Sequence, residues 1–150
     1  MDEEYMRIAL GLAAAAEESH DVPVGAIIVV GDEIVARAFN EKERTGDPTA
    51  HAEMLAIRRA AQRLGTWRLN DATMYVTLEP CAMCAGAMIQ ARLGRLVFGA
   101  FDPKAGAAGS VLDILDVPWL NHRVKVKSGV LEAECSQLLS SFFSQMRRDG

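Results

Sequence analysis

The chain has 150 residues, half of them hydrophobic, with a formal net charge of −4 at pH 7 and three cysteines. This length suits one domain over residues 1–150, and so few cysteines favour metal binding in a reducing compartment over a disulfide framework. The first residues, Met1–Glu4, lack a signal peptide's basic and apolar regions, and no apolar run approaches eighteen residues. We therefore expect a cytoplasmic protein and exclude a membrane protein.

The charges are distributed unevenly along the chain. Residues 1–53 carry twelve acidic side chains and four Lys or Arg, whereas residues 54–150 carry eight acidic side chains and twelve Lys or Arg. A net negative charge argues mildly against a nucleic-acid partner, but the second part could still form a basic face. Composition alone does not distinguish such a face from ordinary solvated charges.

The first third of the sequence predicts one helix and two strands. Apolar residues at intervals of three and four predict an amphipathic helix over Glu3–Ser19. Two β-type runs, Val24–Val30 and Glu33–Phe39, flank the pair Gly31-Asp32, which is typical of a tight antiparallel hairpin. The polar segment Asn40–Ala50 is predicted to be a loop.

The middle of the sequence predicts a helix, a strand, a second helix and a second strand. The first helix covers Ala52–Leu64, with apolar residues at 54, 57, 61 and 64 on one face. A strand over Thr73–Leu78 leads into a helix over Cys81–Ala91, and a strand over Arg95–Ala100 follows. Strand, helix and strand in this order predict a parallel pair with a right-handed crossover.

The last third begins with a loop over Phe101–Ser110 and a partly helical segment over Val111–Trp119. A short strand is predicted over Val124–Val130 and a final helix from Leu131 to about Arg148. The whole pattern predicts an α/β fold in which helices flank a central mixed sheet of about five strands.

Two short motifs predict a catalytic zinc site. His51-Ala52-Glu53 and Pro80–Cys84 supply one imidazole and two thiols, those of His51, Cys81 and Cys84, at the starts of two predicted helices. Catalytic zinc usually has three protein ligands and leaves its fourth position to water. Glu53 would be a carboxylate beside that position, able to take the water's proton. The motifs therefore predict one Zn²⁺ per chain with Glu53 as the catalytic residue.

Each motif alone is weak, since Cys-x-x-Cys also occurs in redox pairs and zinc ribbons. A closed structural site with Cys135 as the fourth ligand is the main alternative. Cys135 instead falls on an apolar helical stripe, which favours a place in the core. His122 is expected to pack or to face solvent rather than to bind metal. The stripe comprises Leu131, Cys135, Leu138, Leu139, Phe142 and Met146.

His-x-Glu followed by Pro-Cys-x-x-Cys is the signature of zinc nucleoside and nucleobase deaminases. Three segments, residues 47–53, 75–88 and 106–110, resemble the bacterial tRNA-specific adenosine deaminase family, and the resemblance covers nearly the whole chain. It implies a three-layer cytidine-deaminase-like fold and hydrolytic conversion of adenosine to inosine at the wobble position of a tRNA anticodon. It also implies a homodimer whose sites the partner subunit completes.

The resemblance further implies contacts to the anticodon loop. From the residues alone, Asn40 and Asp102 are better explained as turn residues, and Arg147 is explained as a complement to a helix dipole. Deaminases of free cytidine, deoxycytidylate or guanine remain alternatives, as does a non-catalytic RNA-binding module that zinc stabilises. The residues implied to contact substrate are Asn40, Asp102, Lys104, Phe143 and Arg147.

Overall fold

The computed structural model describes residues 1–149. Single 3₁₀ turns at Glu17–Ser19 and Ile114–Asp116 interrupt the connections. The helices and strands, in chain order, are α1 (Asp2–Ala16), β1 (Gly25–Val30), β2 (Glu33–Phe39), α2 (Lys42–Thr45), α3 (Ala52–Leu64), β3 (Ala72–Leu78), α4 (Ala82–Gln90), β4 (Arg95–Ala100), β5 (Lys125–Lys127) and α5 (Glu132–Asp149).

The five strands form one mixed sheet in the order β2-β1-β3-β4-β5. Strand β1 is antiparallel to β2 and β3, whereas β3, β4 and β5 are parallel. The predicted mixed sheet is therefore confirmed, including the parallel crossover through α4. Strand β5 is shorter than predicted, because Gly129 and Leu131 both adopt positive φ angles that turn the chain into α5.

Helices cover both faces of the sheet, which gives three layers. Alternate strand residues point to opposite faces, so Ile27, Tyr75 and Val97 pack in the cluster that includes Met6 of α1 and Cys135 of α5. The other face packs against α3 and α4 through a second cluster. That cluster includes Ile28, Met74, Val76, Leu96, Phe98, Ala52, Ala56, Ala60, Ala85 and Met88.

The buried face of α3 differs from the predicted one. The large residues at positions 54, 57 and 64 are half-buried or exposed, and the helix instead buries its alanines, Ala52, Ala56 and Ala60. Small side chains let the helix backbone approach the sheet closely, so volume rather than hydrophobicity decides which face is buried. This rotation also directs Glu53 inward.

Several loops meet at one end of the sheet, where three strands finish and one begins. Strands β2, β3 and β4 all end there, and β1 begins there, because Gly25 pairs with Phe39 and Ala26 with Val76. The loops that follow β2, β3 and β4 therefore lie side by side. None of the described helices has the length and apolar character needed to cross a membrane.

Candidate active site

Three side chains of types that bind metal ions converge at the amino ends of α3 and α4. His51 precedes α3, Cys81 precedes α4, and Cys84 lies in the first turn of α4. The His51 Nδ1 lies 3.6 Å from the Cys81 Sγ and 3.5 Å from the Cys84 Sγ. All three atoms lie within 4.8 Å of one another, and in the described part of the chain no other such group is placed to hold a metal. These three residues could together hold one metal ion.

The two thiols have opposite pKa shifts. A hydrogen bond from Cys84 lowers the pKa of Cys81 to about 4, against the effect of burial, and His51 adds to the lowering. The hydrogen bond with Cys81, together with burial and the nearby Glu53 charge, raises the pKa of Cys84. Two thiolates do not share a buried site without a cation. Metal binding would therefore release the second thiol proton.

Hydrogen bonding raises the pKa of the His51 imidazole, and the two helix dipoles favour an anion beside it. The hydrogen bond with Cys81 raises the pKa of His51, although burial acts in the opposite direction. Both helix amino ends point at this group, and their positive dipole ends favour an anion such as the Cys81 thiolate. The local electrostatics thus prepare the thiolate, which is the form that binds metal.

Glu53 lies beside the three residues but is not one of them. It belongs to the first turn of α3, and only 4% of its surface is exposed. Burial raises the pKa of Glu53 to about 7, although a hydrogen bond from its own backbone N–H opposes this rise. A carboxyl group with a pKa near neutrality can both accept and return a proton.

A cavity of about 690 Å³ opens above this group. The loops after β2, β3 and β4 form its walls, and α5 contributes Leu139, Phe143 and Arg147. Eight of the nine residues predicted to form the site lie on this cavity, while Cys84 is buried beneath it. The eight are Asn40, His51, Glu53, Cys81, Asp102, Lys104, Phe143 and Arg147.

The side chain of Asn40 bridges two parts of the backbone. Its Oδ1 accepts a hydrogen bond of 2.8 Å from the N–H of Ala52, and its Nδ2 donates to the Val22 carbonyl oxygen over 3.1 Å. Asn40 therefore caps the amino end of α3 from outside the helix and fixes His51 next to it. Its role in substrate binding stays a prediction.

The other predicted contacts differ in how they are held. Asp102 Oδ1 accepts hydrogen bonds from the N–H groups of Lys104 and Ala105, at 3.0 and 3.1 Å, so it forms the turn that the sequence allowed. Phe143 is 45% exposed at the rim and packs edge-on against Phe142. An exposed aromatic ring at a cavity mouth can stack on an unpaired base.

Cys135 and His122 lie away from the group formed by His51, Cys81 and Cys84. Cys135 is 1% exposed and packs beside Gly99, where no side chain would fit against its Sγ. The Nε2 of His122 lies 2.6 Å from the Leu93 carbonyl oxygen. Both are packing residues, as expected, and the structure does not support a closed site with Cys135 as the fourth ligand.

Comparison with known proteins identifies the family. A family model of MafB19-like deaminases matches residues 1–147. The tRNA-specific adenosine deaminase of Bacillus subtilis (strain 168) is 52% identical over 147 residues, which cover 98% of this chain and 91% of that protein. The one from Aquifex aeolicus (strain VF5) is 50% identical over 147 residues, covering 98% and 97%. The chain belongs to the tRNA-specific adenosine deaminase family.

The fold of this deaminase is also that of a solved structure from biochemical and structural studies of A-to-I editing by tRNA:A34 deaminases at the wobble position of transfer RNA. The two share 43% of their residues with a TM-score of 0.87, over 91% of this chain and 99% of that one. The predicted three-layer cytidine-deaminase-like fold is therefore confirmed.

The structure of the deaminase also shows two buried carboxylates that the sequence did not reveal, Asp21 and Glu79, both on the cavity wall. Asp21 accepts hydrogen bonds from the N–H groups of Glu43 and Arg44, at 2.8 and 3.3 Å, and so caps α2. Because these partners are distant backbone groups, no sequence spacing indicates them. The only available signal at Glu79 is an acidic residue directly after a buried strand.

Proposed function

We propose that this deaminase hydrolyses adenosine to inosine at the wobble position of a tRNA anticodon, with one zinc ion per chain. The single observation that carries the proposal is the arrangement of His51, Cys81 and Cys84 beside a fourth polar group, Glu53, in an open cavity. A purely structural site has no use for a buried carboxyl group whose pKa lies near neutrality.

The donor set supports zinc in particular. Zinc–nitrogen and zinc–sulfur bonds of about 2.0–2.1 and 2.3 Å, set at a tetrahedral angle, separate the two ligand atoms by about 3.5 Å. The His51 Nδ1 lies 3.6 and 3.5 Å from the two sulfur atoms. Both nitrogen–sulfur separations therefore match those expected around a tetrahedral zinc ion. When bound, zinc supplies the Lewis acidity that lets water lose a proton near neutral pH.

The chain's own residues then account for the proton transfers. The Glu53 carboxylate accepts a proton from the attacking water and gives it to the purine N1 while the water oxygen bonds to C6. Glu53 takes up the remaining proton and passes it to the amine at C6 as the C6–N bond breaks, so ammonia leaves and inosine remains. Burial keeps Glu53 out of bulk solvent and raises its pKa to about 7, near the pH at which it must accept and donate a proton.

We propose that the cavity rim receives the anticodon loop through Asn40, Asp102, Lys104, Phe143 and Arg147. Among the described ion pairs, neither Lys104 nor Arg147 has a carboxylate partner, so both cations are available to phosphate groups. The exposed Phe143 ring supports stacking on an unpaired base. An unpaired nucleotide turns out of its loop at little cost.

Three further proposals accompany this function: the first and third rest on the length and composition of the chain, and the second on the family resemblance. The protein acts as one domain over residues 1–150, it forms a homodimer whose sites the partner subunit completes, and it works in the cytoplasm. Light scattering at assay concentration tests the dimer directly, and a monomeric mass would contradict it.

The test of function is mass analysis of an anticodon stem-loop that carries adenosine at the wobble position. After incubation with zinc-loaded protein, the wobble nucleotide should show the mass change of amine-to-carbonyl exchange. Cytidine, deoxycytidylate and guanine serve as parallel substrates. Conversion of a free nucleoside, nucleotide or base with an unchanged stem-loop would favour the alternative deaminase function.

A further inference from the structure

Glu79 is a buried carboxylate between the sheet and the metal-binding helix. It follows Leu78, the last residue of β3, and precedes Pro80, and only 2% of its surface is exposed. Its N–H donates to the Ala100 carbonyl oxygen over 2.9 Å, which ties it to the end of β4. Its side chain meets the cavity loop, which we define as residues 101–110.

The cavity loop directs four donors at this one carboxylate. The Glu79 Oε1 accepts the Asp102 N–H over 3.0 Å and the Ser110 hydroxyl. Its Oε2 accepts the Ala108 N–H over 3.0 Å and the Ser110 N–H over 3.1 Å. Each oxygen thus serves two donors, and all four donors come from the cavity loop.

The cavity loop is also packed tightly around the carboxylate. A Cβ placed on Gly106 would come within 2.5 Å of the Glu79 Oε1 and of the Asp102 carbonyl oxygen, so only glycine fits there. A further hydrogen bond of 2.8 Å runs from the Ala107 N–H to the Pro80 carbonyl oxygen. The backbone of the cavity loop therefore packs closely against Glu79 and Pro80, the two residues that precede Cys81.

A chain of hydrogen bonds connects this anchor with the rim of the cavity. Glu79 fixes the backbone N–H of Asp102, and the Asp102 carboxylate fixes the N–H of Lys104. Lys104 lies on the cavity wall, with its side chain exposed to solvent. The position of this cation therefore depends on a carboxylate that lies two residues before a metal-binding thiol.

We propose, on the basis of the proposed function, that Glu79 is a positioning residue. It sets the affinity for RNA by holding the cavity loop in the conformation that binds RNA. It acts through the loop and not on the reacting atoms. A carboxylate is required because it only accepts hydrogen bonds, whereas an amide would turn two N–H donors towards two of the loop's own donors. Loop donors that lose their acceptor on the buried Glu79 would release the loop from the sheet.

The decisive variant is Glu79→Gln, which keeps the size of the side chain. Steady-state kinetics of the zinc-loaded protein on the stem-loop should show KM raised about tenfold, the effect of leaving part-buried donors unpaired, with kcat within about threefold of the unaltered enzyme. Zinc content should stay at one per chain. An unchanged KM with a fall in kcat, or a loss of zinc, would make Glu79 part of the metal site and overturn the proposal.

Ser110 provides a milder pair of variants in case Glu79→Gln fails to fold. Ser110→Ala removes one donor and should raise KM about two- to threefold, whereas Ser110→Thr keeps the hydroxyl and should match the unaltered enzyme. Equal KM values for the two variants would contradict the proposal. Asp2→Asn is the control for a carboxylate remote from the cavity, and it should leave KM unchanged.

Amide hydrogen exchange tests the loop without any need for activity. The N–H groups of Asp102, Ala108 and Ser110 should exchange faster in Glu79→Gln, while the amides of β3 keep their protection. Unchanged exchange in the cavity loop would overturn the positioning role. An unaltered enzyme that leaves the stem-loop intact would instead defeat the proposed function, so the two failures are distinguishable.

Discussion

Two ends of the same sheet hold ionisable groups in opposite ways. At the cavity end, burial raises the pKa of Glu53 to about 7, and the hydrogen bond with Cys81 raises the pKa of Cys84. Towards the amino end of β4, hydrogen bonds from Arg95 hold the pKa of Asp2 well below its usual range, despite partial burial. Without a bound cation, the charged forms of Glu53 and Cys84 at the cavity end are therefore unfavourable. The charged form of Asp2 is instead stabilised by Arg95 and Lys127 of the chain itself.

The donors around the two carboxylates explain the contrast. Asp2 accepts hydrogen bonds from Arg95, at 3.1 and 2.8 Å, from Lys127 at 2.9 Å and from Tyr75 at 2.8 Å, all of them side chains of the sheet. Glu79 accepts its bonds from one loop, mostly from backbone groups. Asp2 therefore secures α1 to the sheet, while Glu79 shapes a surface. The comparison predicts that changes at the cavity end affect metal and activity, and that changes at Asp2 affect stability.

Loss of a metal ligand should have the largest effect. Cys81→Ser or His51→Ala removes one corner of the proposed zinc site, so both the bound zinc and the deamination of the stem-loop should fall to background. Elemental analysis of the purified variants measures the first and mass analysis of the stem-loop the second. One zinc per chain retained in either variant would contradict the ligand assignment.

Glu53→Gln separates chemistry from metal binding. The amide cannot carry the proton, so kcat should fall about 10²- to 10⁴-fold, while zinc stays at one per chain because Glu53 is not a ligand. Removing a buried carboxyl group should not lower the thermal midpoint. A variant with near-normal kcat would remove Glu53 from the mechanism and leave the cavity end without its proton carrier.

Arg147 and Arg148 form a matched pair at the end of α5. Arg147 lines the cavity, whereas Arg148 does not line it and its Nη2 donates a hydrogen bond of 3.3 Å to the Ser144 Oγ. Loss of one phosphate contact should raise KM for the stem-loop about five- to tenfold in Arg147→Ala and less than about twofold in Arg148→Ala. Equal effects on KM would indicate that α5 contributes only general charge.

Asp2→Asn should lower the free energy of unfolding by about 1–2 kcal/mol, since hydrogen bonds to two charged side chains weaken while part of the group stays in contact with water. Zinc content and KM should not change. Chemical denaturation, compared with the kinetic constants, measures both sides of the comparison. A change in KM without a change in stability would contradict the separation of the two ends.

The Asp2 carboxylate should also make the stability of the protein depend on pH, and this effect should be smaller than the others. Because folding lowers the pKa of Asp2, its contribution is complete above the pKa of an unfolded aspartate, about 3.9, and is lost as the pH falls through the folded-state value. Thermal midpoints measured from pH 6 down to pH 2 should therefore fall less steeply in Asp2→Asn. Parallel curves for the two proteins would refute the linkage.

The sequence predicted the elements with strong local patterns and missed those set by packing. The hairpin at Gly31-Asp32, the mixed sheet and the candidate ligand group followed from local spacing, and the structure brings His51, Cys81 and Cys84 together. The buried face of α3 did not, because close approach to the sheet favours Ala52, Ala56 and Ala60 over larger apolar residues.

The predictable and unpredictable parts of the candidate site differ in the same way. His51, Glu53, Cys81 and Cys84 are recognisable because each pair lies within three residues and at a helix start. The partners of Glu79 lie 23 to 31 residues away and are mostly backbone N–H groups. Backbone N–H groups are not specific to any residue type, so they leave no sequence signal. Only the fold shows which of them donate to the Glu79 carboxylate.

Zinc K-edge X-ray absorption of the purified protein tests the central claim most directly, which is that this chain holds zinc with three side chains and keeps one position open. We predict two sulfur neighbours and two nitrogen or oxygen neighbours around each zinc ion, with one ion per chain. A third sulfur neighbour, as in a closed structural site, or a protein that binds no zinc, would contradict the account.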